Sequence, residues 1–285
     1  MIHNTYPIQA EGSLPDTKLV TYIQEDSESI GISTRPLILV CPGGAYAYTS
    51  DREAEVLALQ FLAMGYHAAV LRYSCAPARF PTALVEVAKA VLLIRENAEQ
   101  WKVDSGKIIL LGCSAGGHLA ASFGTLWAEN FLAEKLSLSE SEKEKIRPNG
   151  LILCYPVITS GEYAHRGSFE NLLGEQEGSL ERSRDPESLA AKLSLETRVT
   201  DKTPGTFIWH TYEDGSVPVE NSLLFVSALR KARVPVEFHM YAKGGHGLSL
   251  ANRQTATPDG GALQPECTTW IELVRVWLES NYISE

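Results

Sequence analysis

Residues 107–118 carry the strongest chemical signal in the chain. The apolar run Lys107-Ile-Ile-Leu-Leu leads into Gly112-Cys113-Ser114-Ala115-Gly116-Gly117, and the helical stretch His118-Leu-Ala-Ala follows. A serine flanked by glycines on a sharp strand-to-helix turn stands at an exposed apex, and the glycines let neighbouring backbone approach with no Cβ in the way. The pattern G-x-S-x-G also occurs in plain glycine turns. The strand before it and the helix after it are what give it chemical meaning here. A serine hydroxyl attacks a carbonyl only when a base removes its proton, so a histidine must stand within reach.

Seven histidines are available. His3 falls in a stretch that reads as a ragged N-terminus, while His67 and His239 adjoin or lie within expected strands. His118 is four residues past Ser114 on the same helix and is directed along that helix, away from the hydroxyl. His210 lies inside an apolar strand and reads as a satisfied core residue. His165, in a polar insertion, is placed to line a pocket. His246 sits in Lys243-Gly-Gly-His-Gly-Leu, a glycine-rich loop after the last expected strand. That loop leaves the same carboxyl edge of the sheet as Ser114, the edge where α/β sites form. The acid that orients the imidazole is expected one strand earlier, where 206–211 runs into Tyr212-Glu213-Asp214-Gly215. By spacing alone, Glu213 and Asp214 are both open. An acyl-transfer site also needs N–H donors for the developing oxyanion. The amide of Ala115, directly after the serine, is one. The run Leu37-Ile-Leu-Val-Cys-Pro42-Gly43-Gly44-Ala45-Tyr46 ends a strand in a glycine pair and offers Gly44 and Ala45 as the others.

These residues must be held by elements that the hydrophobic pattern predicts. Strands are expected at 19–24, 37–41, 68–73, 107–111, 151–155, 206–211 and 236–241. Most are continuous apolar runs, as in strands buried on both faces of a parallel sheet. Helical periods lie between them: Ala54, Leu57, Ala58 and Phe61 closed by Gly65; Leu84, Val87, Ala88 and Val91 after Pro81-Thr82; a helix from Pro218 through Leu229; and Trp270, Leu273, Val274, Trp277 and Leu278. Strand–helix alternation predicts one open, mostly parallel α/β sheet. Two polar stretches interrupt it. Residues 134–149 read as a solvated helix or loop. Residues 161–203 are too long for a plain connection and read as a small polar cap.

Composition narrows the partners. The chain has 285 residues, 44% hydrophobic and 21% charged, which excludes long disorder. Its net charge of −10, with no basic run, argues against nucleic acid and against an anionic membrane surface. No apolar stretch approaches the roughly 20 residues that span a bilayer, and the first twelve residues do not read as a signal peptide. The five cysteines, Cys41, Cys75, Cys113, Cys154 and Cys267, form no CxxC pair. They read as buried thiols of a cytoplasmic protein, and neither a metal site nor a cofactor is expected.

Several segments together resemble the α/β-hydrolases, and among them the carbohydrate-acetylesterase-like group of xylan esterases and hormone-sensitive-lipase-type esterases. They are Pro42-Gly-Gly-Ala-Tyr, Asp51-Arg-Glu-Ala, Leu71-Arg-Tyr-Ser, Phe80-Pro-Thr-Ala-Leu, Gly112-Cys-Ser-Ala-Gly-Gly-His-Leu-Ala, Trp209-His-Thr, Asp214-Gly-Ser-Val-Pro-Val-Glu-Asn-Ser and Gly244-Gly-His-Gly-Leu. The likeness runs from about Leu37 onward, and the order Ser, acid, His is the order of that fold. It implies Ser114, Asp214 and His246 as the triad, with Asp214 preferred to Glu213. Two departures stand out: Pro42 takes the place of the His of many esterases, and Ala45 that of a third Gly. The resemblance implies an α/β-hydrolase fold, one domain over 1–285 with a mostly parallel central sheet flanked by helices and a cap-like insertion at about 161–203. The implied activity is a serine carboxylesterase acting on small acyl esters, acetyl esters of sugars among them. Tyr46, His165 and Tyr212 are candidate walls for the ester. Two other readings compete: a small peptidase of prolyl-oligopeptidase type, which lacks here the repeats of a propeller, and a non-catalytic binding protein, which would be expected to have lost a triad member.

Overall fold

The computed structural model describes residues 1–27 and 29–283. Among these, eight strands form one sheet: β1 (Ile2–Pro7), β2 (Lys18–Ile23), β3 (Arg35–Cys41), β4 (His67–Arg72), β5 (Val103–Cys113), β6 (Gly150–Cys154), β7 (Thr206–Thr211) and β8 (Val236–Tyr241). Their spatial order is β1-β2-β4-β3-β5-β6-β7-β8. The pairs β1–β2 and β2–β4 are antiparallel, and every pairing from β4 through β8 is parallel. The mostly parallel sheet expected from the sequence is therefore present.

The apolar runs are explained by burial on both faces. In β3, Leu37, Leu39 and Cys41 enter one core and Ile38 and Val40 the other; in β5, Ile108 and Leu110 oppose Ile109, Leu111 and Cys113. The first core is closed by the helices Thr82–Glu96, Ala115–Leu126 and Glu220–Lys231, the second by Glu55–Ala63 and Trp270–Tyr282. A strand with helices on both sides has no polar face, so its side-chain alternation is invisible in hydropathy.

All seven expected strands are found. The eighth, β1, is missed by sequence reasoning, and His3 lies on it instead of in a ragged terminus. Ile-His-Asn-Thr-Tyr-Pro is an edge strand paired on one side only, with no buried residue, so neither an apolar run nor a clean alternation marks it.

Because the strands β3, β5, β7 and β8 run in one direction, the loops after their carboxyl ends share one edge. Pro42-Gly43-Gly44 follows β3, Ser114 follows β5, Asp214 follows β7 and His246 follows β8. Residues 161–203 fold as the short helices Arg166–Leu173, Leu180–Ser183 and Leu189–Lys192 with a 3-10 turn at Leu195–Thr197. Phe169, Leu172, Leu193 and Leu195 anchor that segment in the first core. In residues 134–149, the 3-10 turn Glu140–Ile146 is largely exposed, with Ile146 tucked inward.

Candidate active site

Ser114 joins β5 to the helix Ala115–Leu126 with φ 54° and ψ −119°. A non-glycine residue there is strained by about 1–3 kcal/mol, and the surroundings must hold it. They do so through backbone: Ser114 N–H donates to Cys154 O at 3.0 Å, and Val157 N–H to Ser114 O at 3.0 Å. The flanking glycines are required by contact. A Cβ on Gly112 would stand 2.2 Å from Gly116 O, and one on Gly116 only 2.1 Å from Cys41 O. Gly116→Ala is therefore expected to destabilise the protein by on the order of 3 kcal/mol, because rigid backbone must yield. Thermal unfolding measures this, and a midpoint matching the wild type would refute the packing argument.

The hydroxyl is met from the other side. His246 Nε2 lies 2.7 Å from Ser114 Oγ, and His246 Nδ1 lies 2.6 Å from Asp214 Oδ2. A carboxylate only accepts, so Nδ1 carries the proton and Nε2 is free to take one from the serine. Asp214 is fully buried yet has donors on both oxygens. Oδ1 accepts the N–H groups of Ser216 and Val217, each at 2.9 Å, and Oδ2 also accepts from His210 Nε2 at 3.2 Å. Burial pushes its pKa up, but the hydrogen bonds from His210, His246 and Val217 outweigh that and hold the carboxyl well below its ordinary value. Glu213, the other acid left open by the sequence, is exposed and reaches only Gly244 N–H at 3.4 Å.

Facing Ser114 is the loop after β3. Gly44 has φ +128°, and a Cβ there would stand 2.1 Å from Tyr48 O. Ala45 and Tyr46 follow at φ 55° and 57°, so the alanine in place of a third glycine still adopts a left-handed backbone. The N–H groups of Gly44, Ala45 and Ala115 donate to no acceptor among the described residues. They leave three donors beside the serine.

A cavity of about 270 Å³ opens on this cluster, lined by Gly44, Ala45, Ser114 and His246 together with Tyr48, Ser50, Arg52, Glu53, His165, Ser216 and Gly247. A larger hollow of about 600 Å³ lies between residues 10–14, 77–82 and Lys135, and contains none of the serine, acid or histidine. Chemistry, not size, singles out the smaller one. His165 is in its wall as expected; its Nδ1 accepts Ser168 N–H at 3.3 Å, and burial, reinforced by neighbouring His246, pushes its pKa down. The other two expected wall residues are corrected. Tyr46 is buried at 3% exposure, with its hydroxyl on His118 Nδ1 at 2.9 Å and its ring edge-on to Tyr73. Tyr212 is 68% exposed and outside the lining. Tyr48, four residues past Gly44, stands in the wall that Tyr46 was expected to form.

The BD-FAE family model matches residues 24–229. The chain belongs to the BD-FAE family. The structure of an acetyl ester-xyloside bifunctional hydrolase from Caldicellulosiruptor lactoaceticus superposes with a TM-score of 0.80 at 34% identity, covering 99% of this chain and 97% of that one. The fold is that of the α/β-hydrolases. An endo-1,4-β-xylanase B of Butyrivibrio fibrisolvens is 36% identical over 87% of this chain, and an acetylxylan esterase of Xylanibacter ruminicola 27% identical over 75%. The chain spans 37% and 41% of the lengths of those two relatives.

In this BD-FAE member, three residues beside the cluster escaped sequence reasoning as site residues. His210 is buried and satisfied, as read, but one of its partners is Asp214. Glu53 and Tyr155 form a buried polar pair behind the cluster, Tyr155 Oη donating to Glu53 Oε1 at 2.7 Å. The segment Asp51-Arg-Glu-Ala was legible only as a match to the family; nothing in its pattern says that Glu53 turns inward. The five cysteines are free and buried, and burial pushes the Cys41 thiol up to about 12 and the Cys113 thiol well above its ordinary value. Among the described residues, no group of three or more His, Cys, Asp or Glu is placed to hold a metal ion, and no helix is long and apolar enough to cross a membrane.

Proposed function

We propose that this chain is a serine carboxylesterase that removes small acyl groups, acetyl above all, from hydroxyls of sugars. The observation that carries the reading is the continuous relay Ser114 Oγ–His246–Asp214, at 2.7 and 2.6 Å, beside three unengaged backbone N–H groups. In this mechanism Ser114 Oγ attacks the ester carbonyl while His246 Nε2 takes its proton, and Asp214 stabilises the imidazolium that forms. The oxyanion is received by Gly44, Ala45 and Ala115 N–H. His246 then returns the proton to the departing sugar oxygen, and water repeats the sequence to release the acid.

The cavity supports the choice of substrate. Its volume is below the usual range of about 300–1,000 Å³ for drug-sized ligands, which suits a short acyl chain. Its lining is rich in polar side chains: Ser50, Ser216, His165 and Arg52, whose buried Nη2 has no hydrogen-bond partner among the described residues. Tyr48, 64% exposed, gives a sugar ring an apolar face to lie on. The xylan-related names of the relatives agree with a sugar alcohol moiety.

The test is an acyl series on purified protein. From acetyl through butyryl to octanoyl esters, kcat/KM is expected to fall steadily, by roughly tenfold or more overall, because added methylenes find no pocket. No jump in rate is expected when the substrate passes its solubility limit. Faster octanoyl hydrolysis, or activation by an emulsion, would sink the small-acyl reading.

A further inference from the structure

Glu53 is a buried carboxylate with no place in the acyl-transfer steps, yet it touches both halves of the site. Its Oε2 accepts Gly43 N–H at 3.0 Å, one residue before the donor Gly44. Its Oε1 accepts Tyr155 Oη at 2.7 Å. Tyr155 in turn lies edge-on to the His246 ring, with centroids 5.1 Å apart, and its hydroxyl oxygen accepts Ser249 N–H at 2.9 Å, three residues past that histidine. Ser249 Oγ donates back to Arg52 O at 2.6 Å, beside Glu53 in the chain. The carboxylate is fitted closely enough that a Cβ on Gly43 would stand 2.5 Å from Oε2 and 3.0 Å from Ser114 Cβ.

We infer that Glu53 is a positioning residue for acyl transfer: its two oxygens fix the oxyanion loop and, through Tyr155, the histidine loop, so that donors and base keep one spacing about Ser114. This deepens the esterase reading and rests on Ser114 as nucleophile. The physical reason is the match of donors to acceptors. Both groups on Glu53 are donors, and the Tyr155 hydroxyl donates its hydrogen bond to Glu53 while its oxygen accepts one from Ser249 N–H. In Glu53→Gln only one oxygen remains: an NH₂ facing Gly43 N–H opposes donor to donor, and one facing Tyr155 can bond its oxygen only if the phenol turns its own proton away from the acceptor it has here, so one of the two anchors is weakened. A loop that shifts by a fraction of an ångström weakens contacts made only in the transition state, so kcat suffers and ground-state binding does not.

The experiment measures kcat and KM on an acetyl ester, the inhibition constant of a boronic-acid transition-state analogue, and the rate of phosphonylation of Ser114 by a fluorophosphonate. For Glu53→Gln, kcat and phosphonylation are expected to fall roughly tenfold to a hundredfold, with KM within about threefold of wild type. The analogue's affinity is expected to fall in proportion to kcat/KM. Tyr155→Phe, which leaves the ring against His246, is expected to fall about tenfold. It also carries the test should Glu53→Gln fail to fold. The double variant is expected to be no worse than Glu53→Gln alone. A folded Glu53→Gln protein with unchanged kcat and analogue affinity overturns the inference, as do Glu53 and Tyr155 effects that simply multiply. If no ester is turned over while wild-type Ser114 still reacts with the fluorophosphonate, the esterase reading fails, and Glu53 is judged on phosphonylation alone.

Discussion

Ser114→Ala is expected to lower kcat for acetyl esters by ~10⁶-fold and to abolish labelling by a fluorophosphonate, with the fold intact. The drop is large because the bond-forming atom is gone. It is not total, because Gly44, Ala45 and Ala115 N–H still polarise a carbonyl for attack by water. The fold is expected to survive because everything that holds the elbow is backbone: Ser114 N–H to Cys154 O, and Val157 and His118 N–H to Ser114 O. Alanine has the same steric demand at φ 54° as serine, so the strain at the elbow is unchanged. Among the described residues, the only polar partner lost by the hydroxyl is His246. Active-site titration with mass detection, beside a thermal unfolding curve, measures both halves. A folded variant retaining kcat within tenfold of wild type would remove Ser114 from the nucleophile's role.

That serine was readable because its surroundings are. Strands covered on both faces write their burial as apolar runs, which marks the ends of β5 and β7; β8, at the sheet's edge with no buried residue, instead alternates Val236, Phe238 and Met240 with Glu237 and His239. Each of the three is followed by glycine-punctuated sequence that carries reactive side chains. What the sequence does not carry is the direction in which a loop turns a side chain. Tyr46 and Tyr48 both follow the glycine pair; a left-handed backbone at Ala45 and Tyr46 leaves the first buried on His118 and the second at the cavity. Glu53 was illegible for another reason. Periodicity reports apolar positions, and a carboxylate that is buried because two distant donors meet it looks, in sequence, like any solvated glutamate. One of those donors, Tyr155, is 102 residues away. β1 failed because an edge strand with no buried residue writes no apolar run, and Ile-His-Asn-Thr-Tyr-Pro, unlike the equally unburied β8, has no clean alternation either.

Asp214→Asn is expected to lower kcat about 10⁴-fold, whereas Glu213→Gln is expected to change it less than threefold. The asymmetry follows from who donates to whom. All four hydrogen-bond partners of the Asp214 carboxylate are donors: Ser216 and Val217 N–H on Oδ1, His246 and His210 on Oδ2. Asparagine keeps one oxygen, and the two backbone amides hold it where Oδ1 was. Its NH₂ then faces both imidazoles. His210 cannot turn its proton elsewhere cheaply, because Nε2 also donates to Val217 O at 2.9 Å while Nδ1 is occupied by Ser222 Oγ at 2.8 Å. His246 can, by moving its proton from Nδ1 to Nε2. That tautomer presents a donor to Ser114, and the base is lost although every atom is in place. The buried donor–donor clash at His210 adds a stability cost of about 1–3 kcal/mol, so the variant is expected to unfold at lower temperature as well. Glu213→Gln disturbs a single long contact of 3.4 Å to Gly244 N–H, which the remaining amide oxygen can still accept. Measuring kcat and the unfolding midpoint for both variants separates the two acids. A severe Glu213→Gln beside a mild Asp214→Asn would mean that the carboxylate serving His246 in solution is not the one that lies 2.6 Å from it here.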